Sequence, residues 1–339
     1  MGFLPTDEQR AFARSLDAML TASDTPAAIR AWAGGEPGPG RALWGRLAEA
    51  GVFALAVPEA YEGMGPLPVE LAHAFVELGR HAVPGPVVET VATAALLGEL
   101  ARLGEPGPAK RLLPGLAAGE WTATLAAPAT RAARHPVPYA LDADRADAVL
   151  VVRGEELWRA PGHGPVRVSA DPARRLARPA PGGELLAEGP AVAAAAAAAL
   201  RWAMLATAAQ SLGVGLALLD RSVAYARQRT QFGAPIGSFQ AVKHRLADTL
   251  LALEFARPLL FGAAVALADG HAPDGDLAAA KVTAGEAGYG AARTALQVHG
   301  AVGYTEELDL SLWLRKARPL RDAWGAPAAC RAAVLAPYA

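Results

Sequence analysis

Apolar residues recur at helical spacing through both ends of this chain and lose that spacing in the middle. TDEQRAFARSLDAML (6–20), RALWGRLAEAGVFAL (41–55), PVELAHAFVELGR (68–80), ETVATAALLGELARLG (89–104) and AKRLLPGLAAG (109–119) each place their apolar side chains along one stripe, with Pro and Gly between them. They predict an all-helical domain over 1–118. Thr6 with Gln9 three residues on reads as a capping box opening the first helix. From 119 to 189 the pattern changes to WTATLA, YALDA, DAVLVVRG, ELWRA and VRVSA, short runs with β-branched or aromatic residues separated by breakers, which predict a small β domain. ARPAPGGELLAEGP (177–190) carries too many breakers for a helix and reads as a linker or edge segment. From 190 to 339 the helical period returns in long pieces, 190–228, 238–270, 276–298 and 306–318, which suits an antiparallel bundle.

Composition narrows the partners. Thirty-two basic against 33 acidic residues give a net charge of −1, too balanced for the positive field that nucleic acid binding needs. Cys330 is the only cysteine, so an intrachain disulfide and a cysteine-based zinc site are excluded, which suits a reducing cytoplasm, and the thiol reads as passive packing. No metal site is expected. The opening MGFLPTDEQRAFARSLDAML carries acidic residues and no cationic-then-apolar run, so it reads as a helix and not as a secretory signal. The longest apolar block, AVAAAAAAAL (191–200), ends at Arg201 and is far shorter than a membrane span of roughly 20 residues.

Two segments carry candidate chemistry. In RQRTQFGAPIGSFQAVKHRLAD (227–248), Arg227 and Arg229 stand where a long helix gives way to a Pro/Gly turn. Guanidinium forks beside turn amides suit a phosphate or pyrophosphate, although one arginine capping the helix and the other facing solvent would give the same spacing. In QVHGAVGYTEE (297–307), Gly300 and Gly303 allow a backbone to pass close to a ligand, with Gln297 and His299 supplying polar groups. An ordinary helix end and turn reads the same way.

Taken together, these two segments, the following LWLRKAR (312–318) and LWGRLAEAGVFALAVPEAYEGMG (43–65) resemble the acyl-CoA dehydrogenase family over nearly the whole chain. The resemblance implies a mainly α fold: an N-terminal helical domain, a reduced middle β domain and a C-terminal four-helix bundle that serves oligomerisation. It implies FAD as cofactor and an acyl-CoA oxidised to its 2,3-enoyl form, with a carboxylate taking the α proton and the β hydride passing to flavin. By the family's Arg-x-x-Phe-Gly motif, Arg229 would meet the FAD pyrophosphate, with Gln231 and Phe232 beside it and Gln240 following. By its Gln-x-x-Gly-Gly segment, which serves the FAD of a neighbouring subunit, Gln297, His299, Gly300 and Ala301 would reach the adenine end, Ala301 replacing the second glycine.

The departures are as informative. The commonest position of the family's catalytic glutamate falls here on Trp324, and the minority position falls on Ala203, so no catalytic residue is assigned to this chain. Asp322, two residues from Trp324, is misplaced for a base and reads as a surface charge, as do Glu306 and Glu307. Where the family carries a glycine- and hydroxyl-rich flavin loop, this chain has TLAAPATRAAR (124–134). A retained arginine without a base resembles the shorter, base-lacking subunit of heterotetrameric (α2β2) bacterial steroid-CoA dehydrogenases. Such a subunit implies a larger partner that carries the glutamate, and electron-transfer flavoprotein or a similar acceptor. A non-catalytic binding or scaffolding protein on the same fold is the alternative. Lys243, His244 and Arg245 read as exposed or interface charges.

Overall fold

The computed structural model describes residues 4–128 and 138–338, in two compact units that the chain enters more than once. One comprises Met1–Pro26, Ala72–Val83 and Thr207–Ala339, the other Ala27–Leu71 and Pro84–Ala206.

The first unit is helical. It holds α1 (Asp7–Thr21), most of α4 (Pro68–Arg80), the second half of α7 (Pro190–Gln228), α8 (Gln240–Ala268), α9 (Asp274–His299), α10 (Leu310–Asp322) and α11 (Pro327–Leu335). Thr6 and Gln9 form the capping box expected of α1, each side chain bonding the other's backbone N–H. His81 bonds Asp17 at 2.8 Å, tying the end of α4 to α1, and burial beside them pushes the Glu77 carboxyl up to about 7. Close helix contact is bought with glycine: a Cβ on Gly288 of α9 would lie 2.4 Å from the Ser211 carbonyl of α7. In α8 the buried residues Thr249, Leu253, Ala256, Leu260 and Ala264 form one stripe. Its other side exposes Leu250, Leu251, Phe255 and Leu259, the last three at four-residue spacing. Among the described residues, α7 and α8 are long and apolar enough to cross a membrane, but half of the most apolar window of α7 is buried within the fold, against 28% for α8.

The second unit joins helices to two small sheets. Its helices are α2 (Thr25–Gly34), α3 (Gly38–Glu49), α5 (Val87–Arg102), α6 (Pro106–Ala117) and the first half of α7. The four-stranded sheet runs in the order β1 (Ala123–Ala126), β3 (Ala148–Arg153), β4 (Glu156–Arg159), β7 (Glu184–Glu188), with β1 and β3 parallel and the rest antiparallel. The second sheet runs β2 (Ala140–Leu141), β6 (Arg175–Ala177), β5 (Arg167–Val168). Buried on both faces, β3 supplies Val149 and Val151 to a core shared with Ala126, Ala140 and Ala177. Asp142, at φ 50° and fully buried, accepts the Arg175 N–H on Oδ1 and is pushed up to about 7 by burial.

Several elements depart from the pattern reading. RALWGRLAEAGVFAL predicts one helix, but α3 stops at Glu49 because Gly51 takes φ 79° and Val52 N–H bonds the Leu47 carbonyl, a Schellman-type end. α2 and α11, of 10 and 9 residues, are too short and alanine-rich to show a stripe. The breaker-rich stretch before α7, read as a linker or edge segment, does hold an edge strand, since β7 pairs on one side only.

Candidate functional site

The turn after α7 is built around an exposed aromatic. Helix α7 ends at Gln228, and Arg229 N–H still donates to the Tyr225 carbonyl at 2.8 Å. The chain then doubles back as a hairpin of β8 (Thr230–Gln231) and β9 (Ala234–Pro235). Phe232 at φ 56° and Gly233 at φ 79° are its two central residues, the type I′ geometry whose twist suits a two-residue hairpin. Ile236 N–H closes the turn on the Arg229 carbonyl at 2.8 Å. Phe232 is 95% exposed, 6.3 Å edge-on from Phe239, and Gln231 Nε2 donates to the Thr230 carbonyl. Gln240 opens α8 behind an extended Phe239 that supplies no side-chain cap, its carbonyl taking the Val242 and Lys243 N–H groups, both at 3.1 Å. Arg227, Arg229 and Gln240 are exposed, and neither arginine has an ion-pair partner among the described residues.

The second predicted segment closes α9. His299 is buried, donates from Nδ1 to the Ala295 carbonyl at 2.8 Å, and stacks on Tyr225 at 4.2 Å. Burial lowers its pKa against the pull of that hydrogen bond, which keeps the ring neutral near pH 7. Tyr225 thus links the two segments: its ring packs on His299 while its carbonyl receives Arg229. Gln297, Gly300 at φ 63° and Ala301 are exposed at the helix end. Within this chain His299 serves packing, and Gln297, Gly300 and Ala301 are the members of the set left open to a ligand.

Neither position where a base would stand holds one. Ala203 is a fully buried methyl group on α7. Trp324 is half-buried at φ 53°, in a turn after α10 held by Lys281 of α9. The Lys281 ammonium, with no exposure, donates to the carbonyls of Leu320 at 3.1 Å, Arg321 at 3.0 Å and Gly325 at 3.4 Å. Asp322 is exposed and paired with Arg318 and Arg321 at 3.5 and 3.4 Å, as a surface charge would be, and Glu306 pairs with Arg315. Cys330 is buried and its thiol pushed up by that burial, which leaves it inert. Of the degenerate loop 124–134, residues 129–134 lie outside the described residues. Lys281 escapes a sequence reading because a lone lysine on a helix looks like a solvent contact.

Residues 6–120 match the acyl-CoA dehydrogenase N-terminal domain and residues 192–334 its C-terminal domain. The chain belongs to the acyl-CoA dehydrogenase family. It is 34% identical over 318 residues to the acyl-CoA dehydrogenase IpdE2 of Mycobacterium tuberculosis, covering 92% of each protein. Among solved structures, it is similar to the ChsE4–ChsE5 complex of M. tuberculosis, with TM-score 0.81 and 27% identity over 98% of this chain and 97% of that one. It is also similar to the Tcur3481–Tcur3483 steroid ACAD, with TM-score 0.82 and 25% identity over 97% and 96%. Acyl-CoA dehydrogenases are FAD-dependent oxidoreductases, and the residues here fit the phosphate end of that cofactor. Arg227 and Arg229, exposed and without an ion-pair partner among the described residues, flank the turn that leads into the α8 N-terminus, which has no side-chain cap, and guanidinium groups and helix-end amides are the kinds of donor that suit a pyrophosphate.

Proposed function

We propose that this chain is the base-lacking subunit of an FAD-dependent acyl-CoA dehydrogenase that introduces a 2,3 double bond into an acyl-CoA, assembled as an α2β2 heterotetramer in the cytoplasm. The observation that carries this reading is the contrast between an open, cationic hairpin at Arg229 and the two base positions, filled by Trp324 and Ala203. Arg229 binds the FAD pyrophosphate, with Gln231, Phe232 and Gln240 along the same turn, and Gln297, Gly300 and Ala301 form the adenine-side contact, with His299 packed on Tyr225 behind them. FAD when bound supplies the hydride acceptor. This chain's side chains hold and orient it, and the α proton goes to a glutamate of the partner subunit.

A steroid side-chain CoA ester as substrate is supported by the similarity to a steroid ACAD. Pairing with a second acyl-CoA dehydrogenase chain is supported by similarity to the ChsE4–ChsE5 complex. The apolar side of α8, with Phe255 71% exposed, supplies the kind of surface that a subunit interface covers. Electrons leave to electron-transfer flavoprotein or a similar acceptor.

Expression alone and with an acyl-CoA dehydrogenase chain encoded beside it tests this reading. The expected result is a colourless or insoluble chain alone and a yellow, active complex on co-expression. A flavin-loaded, active homo-oligomer of this chain would overturn it.

A further inference from the structure

The two turns proposed to hold FAD are rooted on one another. On one side, the hairpin of β8 and β9 springs from the last turn of α7. Arg229 is fixed at both ends, its N–H on the Tyr225 carbonyl and its carbonyl taking the Ile236 N–H, both at 2.8 Å. Just past the hairpin, a Cβ on Gly237 would lie 3.0 Å from the Ala226 carbonyl, so the chain packs directly on the helix end beside Tyr225.

On the other side, the turn over 300–304 rests on His299. A Cβ on Gly303 would lie 3.2 Å from the His299 Cβ and 3.3 Å from the Leu296 side chain, so this turn folds back over the end of α9. His299 is 7% exposed and is itself held from Nδ1 by the Ala295 carbonyl at 2.8 Å. Between the two roots stand the stacked rings of Tyr225 and His299, with centroids 4.2 Å apart and planes 26° apart.

This arrangement separates holding from gripping. The side chains open to a ligand are those of Arg229 and Gln297, both exposed, whereas His299 is buried and Tyr225 half-buried. A turn that must be ordered when a ligand arrives loses affinity to that ordering, and a turn already held loses less. A stacked aromatic pair has a preferred geometry that an aliphatic side chain does not reproduce, so it fixes the distance between the two roots as well as covering them.

We infer that Tyr225 is a positioning residue for the cofactor: its ring, stacked on His299, keeps the Arg229 hairpin and the Gln297 turn in register. The inference rests on the FAD contacts proposed above, whereas the stack and the two roots do not. The test titrates FAD into the flavin-stripped complex of the full chain with its partner, follows flavin fluorescence, and records the unfolding midpoint of each preparation.

Tyr225→Leu should weaken FAD roughly fivefold or more, and Tyr225→Phe, which keeps the ring, should stay within about twofold of the unaltered complex. His299→Leu removes the stack from the other side and should weaken FAD to a similar degree, with the double variant no weaker than either single one. Either single variant suffices if the other fails to fold. Lys281→Met, which loosens a turn that makes no proposed FAD contact, should lower the midpoint and leave FAD affinity unchanged. Equal FAD affinity in Tyr225→Leu and Tyr225→Phe would overturn the inference, as would a loss of affinity in Lys281→Met matching that of Tyr225→Leu. Arg229→Ala, titrated alongside, separates the two readings: weaker FAD there with none lost in Tyr225→Leu sinks this inference alone, whereas unchanged FAD affinity in Arg229→Ala counts against the proposed function.

Discussion

Two turns in this protein each hold an aromatic residue in the left-handed region and differ in what satisfies them. Phe232-Gly233 follows α7 and Trp324-Gly325 follows α10, and in each an aromatic residue sits in the left-handed region, at φ 56° and 53°, ahead of a glycine with positive φ. Around Trp324 the carbonyls are claimed from within by the buried Lys281 ammonium. Around Phe232 the guanidinium groups of Arg227 and Arg229 point to no internal partner, and the aromatic ring itself is exposed. The Trp324 turn is closed chemistry, a polar network completed inside the fold, and the Phe232 turn is open, its guanidinium groups without an internal partner among the described residues. A family member that gives up its base can make the vacated turn structural while the cofactor turn stays functional.

The largest effect should come from opening the closed turn. Lys281→Met leaves three backbone carbonyls without their donor, at about 1–3 kcal/mol each, so the thermal unfolding midpoint of the complex should fall by roughly 6 °C or more. An unchanged midpoint would mean that the Trp324 turn does not depend on the ammonium.

The turn at Asp142 sharpens the contrast, because it too holds a non-glycine residue at positive φ, and it too is buried. Its folded carboxyl keeps a proton up to about 7 that the unfolded chain releases near 3.8. Asp142 therefore contributes its full stability below 3.8, and loses it as pH rises toward about 7, at roughly 1.4 kcal/mol per pH unit. In Asp142→Asn, which tolerates the same backbone, the decline of the unfolding midpoints between pH 4 and 7 should become shallower, leaving the part that Glu77 supplies. A wild-type slope retained by the variant would assign the titration elsewhere, Glu77 being the other carboxyl raised to about 7.

Smaller effects are expected at the open turn. Gly233→Ala meets no atom within 4 Å, so its cost is backbone strain alone, about 1 kcal/mol, read as a small fall in midpoint. Phe232→Ala should change stability by less than about 0.5 kcal/mol, since an exposed ring contributes little to the fold. A large loss of stability in the FAD-free protein would show that the ring is structural.

The sequence reveals the open turn better than the closed one, for a physical reason. The open turn is carried by particular side chains at fixed spacing, and RQRTQFG displays them, which is what its proposed ligand role rests on. Long helices are equally legible: the apolar period gives 68–80 and 190–228 with the bounds observed for α4 and α7. Lys281 carries no such trace, because its role depends on carbonyls roughly 40 residues away along the chain. The positive φ of Trp324 and the packing of His299 on Tyr225 are likewise set by tertiary contacts. The short helices α2 and α11 are too brief for periodicity to declare them.

The central claim, that the Arg229 turn is half of a flavin site completed by another chain, is tested most directly by the FAD content of the co-purified complex carrying Arg229→Ala. Loss of charge-assisted hydrogen bonds worth roughly 1.5–3 kcal/mol predicts an intact complex whose affinity for FAD is reduced at least tenfold, with activity lost in proportion and recovered at high FAD concentration. Unchanged flavin content and unchanged activity would contradict it, and would leave the chain as a scaffold on the acyl-CoA dehydrogenase fold.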